Sequence, residues 1–359
     1  MENQALDLLK NLVALPTPTG FEQDGMLLLG NYLKQGGVPD VRLDVHGNLR
    51  AAVNPDAPVR VMIEGHCDEI GFMVQHIDDK GFLYMCPLGG VTVPTVASER
   101  IIIQGREGAV YGVFGVRPPH LMDAEQRKKL APQDLREIKV DIGATSKEDA
   151  LKMVSLGDPA VIDAGWHELG NGRIACRGFD NRIGAFIVTE AMKRLAHKKL
   201  NVALHMVASV QEEVGLVGGQ TTAYDINPHI GLCVDVTFAT DAQDEDQKIC
   251  GDVRLGSGPV IAVGPTYHKT LNKHVMNCAQ QAEINVQTQV RGRGNGTCAW
   301  AMRLSRSGAA VSQLSIPLRY MHSPVEVLAL DDAARVIDLM CAAIENLPAD
   351  INLIPQGLH

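Results

Sequence analysis

Several things this sequence lacks narrow what it can be. It has no Cys-x-x-Cys pair; its eight cysteines are scattered singly, several of them (Cys233, Cys278, Cys341) inside apolar runs. That pattern argues against thiolate zinc sites and a disulfide framework, and fits buried thiols in a reducing compartment. Its apolar runs are only strand-sized, so no segment is expected to span a bilayer. It has no basic stripe and a net charge of -9, which argues against a sequence-independent nucleic-acid surface. The opening MENQALDLLKNLVAL lacks the basic start, apolar core and small-residue cleavage site of a signal peptide, so a cytoplasmic location is expected. There is no internal repeat, low-complexity stretch or long linker. RGRGNGTC is glycine-rich but is neither G-x-G-x-x-G after a strand nor a phosphate loop. TDAQDEDQK is acidic but lacks the glycine and closing glutamate of a calcium loop.

What is present is the composition of a globular enzyme: 359 residues, 45% hydrophobic and 21% charged. At roughly 150 residues per domain, that length fits about two domains. Two helices are expected in the first forty residues, split at LPTPTGFEQ, where Pro16 and Pro18 bar helix continuation. A hairpin turning at His46-Gly47-Asn48 follows, then the short buried strand VRVMIEG. From about residue 69 to 165 short alternating strands dominate, with brief helical pieces at DAEQRKKLA and at SKEDALKMVSLG, the latter opening with the capping-box spacing of Ser146 and Asp149. After Asp180 helices and strands alternate to the end, which predicts an α/β fold with a doubly covered, mixed and largely parallel sheet. The expected division is a catalytic domain of residues 1–68 and 166–359 and an inserted small β-rich domain of 69–165.

Acidic and imidazole side chains recur where these elements begin or end. His66 and Asp68 form an H-x-D pair after VRVMIEG; two apart in extended chain, they face the same side, so Asp68 can fix the imidazole tautomer. Asp180 precedes a helix, Glu212 and Glu213 follow the apolar strand NVALHMVAS, Asp235 lies within the apolar GLCVDVTF, and His322 follows SIPLRYM. Each has an ordinary alternative: His66 and His322 as loop histidines, Asp180 as an N-cap, the two glutamates as surface charge. Asp235 is the most telling, because a carboxylate in so apolar a strand is costly unless paired or metal-bound. Together they suit a two-metal hydrolase, whose ligands must converge from different elements.

The order and local wording of these residues resemble the dinuclear aminopeptidases of the tetrahedral, twelve-subunit type, a family that includes glutamyl aminopeptidases. The likeness runs over nearly the whole chain, through PTPTGFE, GHCDEIGFMV, GFLYMCPLGG, VDIGATSKEDA, FDNRIG, VQEEVGLVGGQTTA, VDVTFATD and IPLRYMHSPVEV. The resemblance implies a zinc-exopeptidase-like fold and two divalent metals per subunit, zinc or cobalt. It implies that His66 and Asp235 ligate one metal, that Glu213 and His322 ligate the other, and that Asp180 bridges them. By the same likeness Glu212 is the general base, Asp68 orients His66, and the Asp180–Asn181 peptide bond is cis. It further implies short peptides as substrates and self-association into a dodecamer through the inserted domain. Where the family usually has Gly-Thr-Asp, this chain reads Gly296-Thr297-Cys298, with Cys298 expected to be a half-buried thiol. Rival readings are a deacylase or carboxypeptidase on the same scaffold, or a non-catalytic relative. A glycosidase fits poorly, since its two working carboxylates must flank a sugar and Glu212 and Glu213 are adjacent.

Overall fold

The computed structural model of the chain describes residues 2–123, 132, 134–242, 247–293, 296–348 and 350–354. The DAEQRKKLA helical piece lies almost wholly outside the described residues, as does the middle of the TDAQDEDQK stretch. Two amphipathic helices, α1 (Asn3–Ala14) and α2 (Gln23–Gln35), open the chain on either side of the proline-bearing turn. The hairpin follows as β1 (Arg42–Leu43) and β2 (Leu49–Val53), and then β3 (Arg60–His66).

From Gly71 to Ile162 six short strands form a closed barrel: β4 (Gly71–Ile77), β5 (Leu83–Leu88), β6 (Arg100–Gly105), β7 (Gly108–Gly115), β8 (Lys139–Asp141) and β9 (Pro159–Ile162). Their order around the barrel is β4-β5-β8-β7-β6-β9, and every pairing is antiparallel. The barrel has its own core, in which Phe72 and Phe114 pack with ring centroids 5.1 Å apart among Ile101, Ile103 and Val140. Helix α3 (Lys147–Met153) begins as its sequence predicts, with the Ser146 hydroxyl accepting the Asp149 amide.

The rest of the chain builds one eight-stranded sheet and its covering helices. Added to the first three strands are β12 (Ala203–Ser209), β13 (Ile230–Phe238), β14 (Val260–Val263), β15 (Gln287–Val290) and β16 (Ala310–Leu318), in the order β1-β2-β12-β3-β13-β16-β14-β15. The sheet is mixed: β12, β3, β13 and β16 are mutually parallel neighbours, while β1, β2 and the β16–β14 pairing are antiparallel. A small sheet of β10 (His167–Glu168), β11 (Arg173–Cys176) and β17 (Glu326–Ala329) lies beside it.

Alternation along the strands sends side chains to two separate cores. Val61 and Ile63 of β3 join α1, α2, α4 (Phe179–Leu195), α6 (Lys269–Gln281) and α8 (Leu330–Glu345) on one face. Met62, between them, joins α5 (Val217–Ile226) and α7 (Cys298–Arg303) on the other. The sheet is thus covered on both faces. Helix α5 and strand β14 are elements of the main sheet and its cover that the sequence reading did not name. No helix among the described residues is long and apolar enough to cross a membrane.

Candidate metal centre and active site

Four adjacent parallel strands end at one edge of the sheet, and the candidate residues sit there. Ser209 of β12 pairs with His66 of β3, and Cys233 of β13 pairs with Glu64, which sets Asp235 level with His66. Beyond the strand ends, Glu212 and Glu213 follow β12 and His322 follows β16. Asp180 arrives from the opposite direction, at the start of α4. All seven predicted site residues come together. Six of them, all but Asp68, line one cavity of about 250 Å³.

Asp180 lies at the centre of this group. Its Oδ1 is 3.5 Å from His66 Nε2 and its Oδ2 is 3.2 Å from His322 Nε2. His66 Nε2 also faces Asp235 at 3.9 Å and Glu212 at 3.9 Å, while His322 Nε2 faces Glu213 at 3.3 Å. Asp180 is not a helix cap: Gly178 holds that position in the left-handed region, and the φ/ψ values of Asp180 and Asn181 are non-helical. The Asp180–Asn181 peptide bond is cis. Two groups of donors share Asp180: His66, Asp180 and Asp235 in one, Asp180, Glu213 and His322 in the other.

The donor set fits divalent metal. It contains imidazole and carboxylate and no thiolate, and two ligands each about 2.1 Å from one ion stand roughly 3–3.5 Å apart, close to the shorter separations seen here. Without cations the cluster is electrostatically unfavourable, since four carboxyl groups face only two imidazoles. Burial, with Asp235, Glu213 and Asp180 nearby, pushes the Glu212 carboxyl up to about 9. Burial also raises Glu213 and lifts Asp235 well above the carboxylate range. Burial lowers the His66 pKa, but Glu212, Asp68 and Asp180 outweigh it and hold that imidazole well above its ordinary value.

Supporting groups fix where these side chains point. His66 Nδ1 lies 3.1 Å from the Asp68 carbonyl and 3.3 Å from its Oδ1, which leaves Nε2 for the cavity. Asp68 is fully buried, and its two oxygens accept the Glu212 amide at 3.0 Å and the Glu213 amide at 3.1 Å. The preceding amides are held in the same way: Val210 donates to Asn48 and Gln211, with φ +53°, donates to Glu22, each at 3.0 Å. Four consecutive amides are therefore pinned by three distant side chains. Glu326 accepts the Asp180 amide at 3.1 Å and the His322 amide at 3.0 Å.

The barrel contributes as well. In the turn after β5, the Gly90 carbonyl lies 3.1 Å from His322 Nδ1, and a Cβ on Gly89 would stand 3.2 Å from that of Glu213. The sequence reading missed Glu22, Asn48, Gly90 and Glu326 as parts of the site; the glutamates stand inside the quoted PTPTGFE and HSPVEV, and only their motif context signalled them. Cys298 is buried rather than half-buried, 4.0 Å from the Ser209 hydroxyl, and belongs to neither donor group that includes Asp180.

Comparison with known proteins places this geometry. The sequence profile of the M42 glutamyl aminopeptidases matches residues 47–339. A lysyl aminopeptidase from Pyrococcus furiosus is 35% identical over 342 residues, covering 95% of this chain and 97% of that protein. Among solved structures, the TET aminopeptidase of the marine sediment archaeon Thaumarchaeota archaeon SCGC AB-539-E09 superimposes with a TM-score of 0.90 at 31% identity, over 96% and 97% of the two chains. The dodecameric TET1 of Pyrococcus horikoshii gives a TM-score of 0.84 at 29% identity, over 97% and 100%. The strand-end cluster and the match along almost the whole chain lead to one conclusion: this protein belongs to the M42 glutamyl aminopeptidase family and is a hydrolase of the aminopeptidase class.

Proposed function

We propose that this aminopeptidase removes N-terminal residues from short peptides with two divalent ions, zinc or cobalt, held by its own five ligands. His66 and Asp235 hold one, Glu213 and His322 hold the other, and Asp180 bridges. The observation that carries this reading is the division of Asp180, one oxygen toward each histidine. Bound there, the ion pair lowers the pKa of water and polarises the scissile carbonyl. Glu212 is the general base: it lines the cavity, nothing among its described neighbours donates to its carboxylate, and it takes a proton from the attacking water and returns it to the leaving amine. Asp68 positions His66 and the Glu212–Glu213 backbone.

Residues 69–165 form the inserted domain, with the barrel at its centre, and mediate assembly into a dodecamer. The dodecameric TET1 structure supports this reading, as do the exposed Tyr111 (65%) and Leu121 (64%) on and beyond β7. All eight cysteines are unpaired, in keeping with a cytoplasmic location.

The test is metal analysis of the purified protein together with turnover of aminoacyl p-nitroanilides and N-acetylated amino acids. Two ions per chain and cleavage only where the amine is free are expected. Preferential hydrolysis of N-acetylated substrates would transfer the same site to the deacylases, and a protein that binds no metal would leave only the fold.

A further inference from the structure

Of the five proposed ligands, His322 is the least enclosed. Its side chain is 31% exposed, against 3–9% for His66, Asp180, Glu213 and Asp235. It also stands outside any helix or strand. Residues 320–325 form a loop closed at its base by two backbone hydrogen bonds between Arg319 and Val327, of 2.9 and 3.1 Å. Within it Tyr320 and His322 both have φ +60°. A residue with a side chain keeps that left-handed conformation only where its surroundings hold it.

Glu326, at the start of β17, supplies that hold. It is 2% exposed, and its two oxygens are divided: Oε1 accepts the His322 amide at 3.0 Å and Oε2 the Asp180 amide at 3.1 Å. Arg177 and Arg182 are engaged by Glu69, and Arg319 by Asp241, so among the described residues no arginine draws the carboxyl group elsewhere. Glu326 thus clips the loop to the start of α4. The two ends of the clip differ in what else secures them. Next to Asp180, the Asn181 side chain donates to the Val234 carbonyl at 2.9 Å and accepts the Gly184 amide at 3.1 Å. Apart from the contacts of the His322 ring, the other hydrogen bonds of the loop are internal: Ser323 N to the Tyr320 carbonyl at 3.2 Å and Val325 N to the Ser323 hydroxyl at 3.3 Å. Loss of the clip therefore falls on His322 more than on Asp180.

We propose that Glu326 is the positioning residue of one ion only, the one assigned to Glu213 and His322. It holds His322 in its left-handed turn against the Asp180 backbone; without it that site loses affinity while the site of His66 and Asp235 keeps its own. This role rests on the two-ion reading above and names the side chain outside the ligand set that governs retention of the second ion. Asp68 differs, since it lies against His66 and holds the Glu213 amide, and so serves a proposed ligand of each ion. In Glu326→Gln the shape is kept but one oxygen becomes an NH2 group, which cannot accept an amide. Whichever way that group turns, the tie between loop and Asp180 is cut. Glu326→Met removes both acceptors at similar volume.

The test uses the full-length protein with cobalt as the probe. Ions per chain are measured after dialysis against graded chelator for the parent, Glu326→Gln, Glu326→Met and His322→Ala, and turnover of Leu-p-nitroanilide is recorded against cobalt concentration. The parent is expected to hold two ions. Glu326→Gln releases one of them at about 10- to 100-fold higher free cobalt than the parent does, and Glu326→Met releases it more readily still. In both, the ion that stays is held as tightly as the one left in His322→Ala. All five ligands remain in Glu326→Gln, so its kcat returns to near that of the parent when cobalt is raised; that of His322→Ala does not. Parental affinity for both ions in the two Glu326 variants, equal weakening of both ions, or lost turnover that added cobalt does not restore overturns the role of Glu326 and leaves the two-ion site standing. So does failure of both variants to fold, because Glu326 would then serve the fold. A parent that binds fewer than two ions overturns the role together with the reading it rests on.

Discussion

Replacing Asp68 by asparagine tests the support of the site with almost no change of shape. Asp68 is fully buried; Oδ1 accepts the Glu212 amide and lies 3.3 Å from His66 Nδ1, and Oδ2 accepts the Glu213 amide. An asparagine has one oxygen. Whichever way its amide is turned, an NH2 group faces one of the two backbone N–H groups, and that buried donor is left without an acceptor. Such a loss costs about 1–3 kcal/mol, and more where the lost partner was charged. Part of that cost appears as displacement of Glu213, a proposed ligand, and of Glu212, the proposed base. Loss of the carboxylate beside Nδ1 also makes His66 a weaker donor, and changes of this kind typically lower metal affinity about 10- to 100-fold. The expected result is a folded protein of unchanged subunit assembly, with weaker metal binding by competition against a chelator and lower kcat even at saturating metal. The assays are metal analysis after graded chelation and turnover of a preferred aminoacyl p-nitroanilide. If Asp68→Asn binds metal and turns over like the parent, the backbone pinning has no functional weight and the supporting role is wrong.

Three further outcomes follow from the same geometry. Glu212→Gln keeps both metals and the fold while kcat falls by about 10² to 10⁴; near-normal turnover would remove Glu212 from the role of base. Asp180→Ala loses both ions together with activity, and more completely than Asp68→Asn does. Retention of parental metal content in this variant would refute the bridge. Burial raises the Glu213 and Asp235 carboxyls above their usual range, and the neighbouring carboxylates raise the His66 and His322 imidazoles, in the metal-free protein. Ligands must shed protons to bind, so metal uptake near pH 7 should release protons and apparent affinity should rise with pH through that range. Calorimetric titration in two buffers of different ionisation enthalpy reads this directly, and no proton release at neutral pH would contradict it.

Much of the candidate site was legible because its residues obey local rules. His66, Glu212, Glu213 and His322 close or follow apolar strands, and Asp235 interrupts one, so hydrophobic patterning drew attention to them, while the family resemblance supplied their roles. Their supports were not legible. Glu22 and Asn48 reach the Val210–Glu212 segment from 189 and 162 residues away in sequence, and nothing in periodicity reports such contacts. Helix α5 was hidden for a packing reason. Its first turn carries Gly218 and Gly219, poor helix formers, yet a Cβ at Gly218 would come within 2.3 Å of Asn48 Oδ1 and 2.6 Å of the Val210 backbone. Gly218 marks close packing of the helix against the pinned loop and Gly219 against Cys298, and only the tertiary structure shows it. Cys298 was read as an ordinary half-buried thiol because no C-x-x-C or histidine neighbour accompanies it, whereas α7 starts there and turns it into the core beside Gly219.

The two-glycine turn of the barrel has a consequence for how this protein can be re-engineered. Gly90 holds the far side of His322, and the space above Gly89 and Gly90 is taken by Glu213 and His322 themselves. A chain in which residues 1–68 were joined directly to 166–359 would keep every proposed metal ligand and still release one imidazole to rotate. A barrel swapped in from another protein would have to bring a turn with no side chains at the same height. The barrel is in this respect a detachable part only on paper: one end of it braces the proposed ligands His322 and Glu213, and a graft that ignored that end would leave both side chains without a backstop.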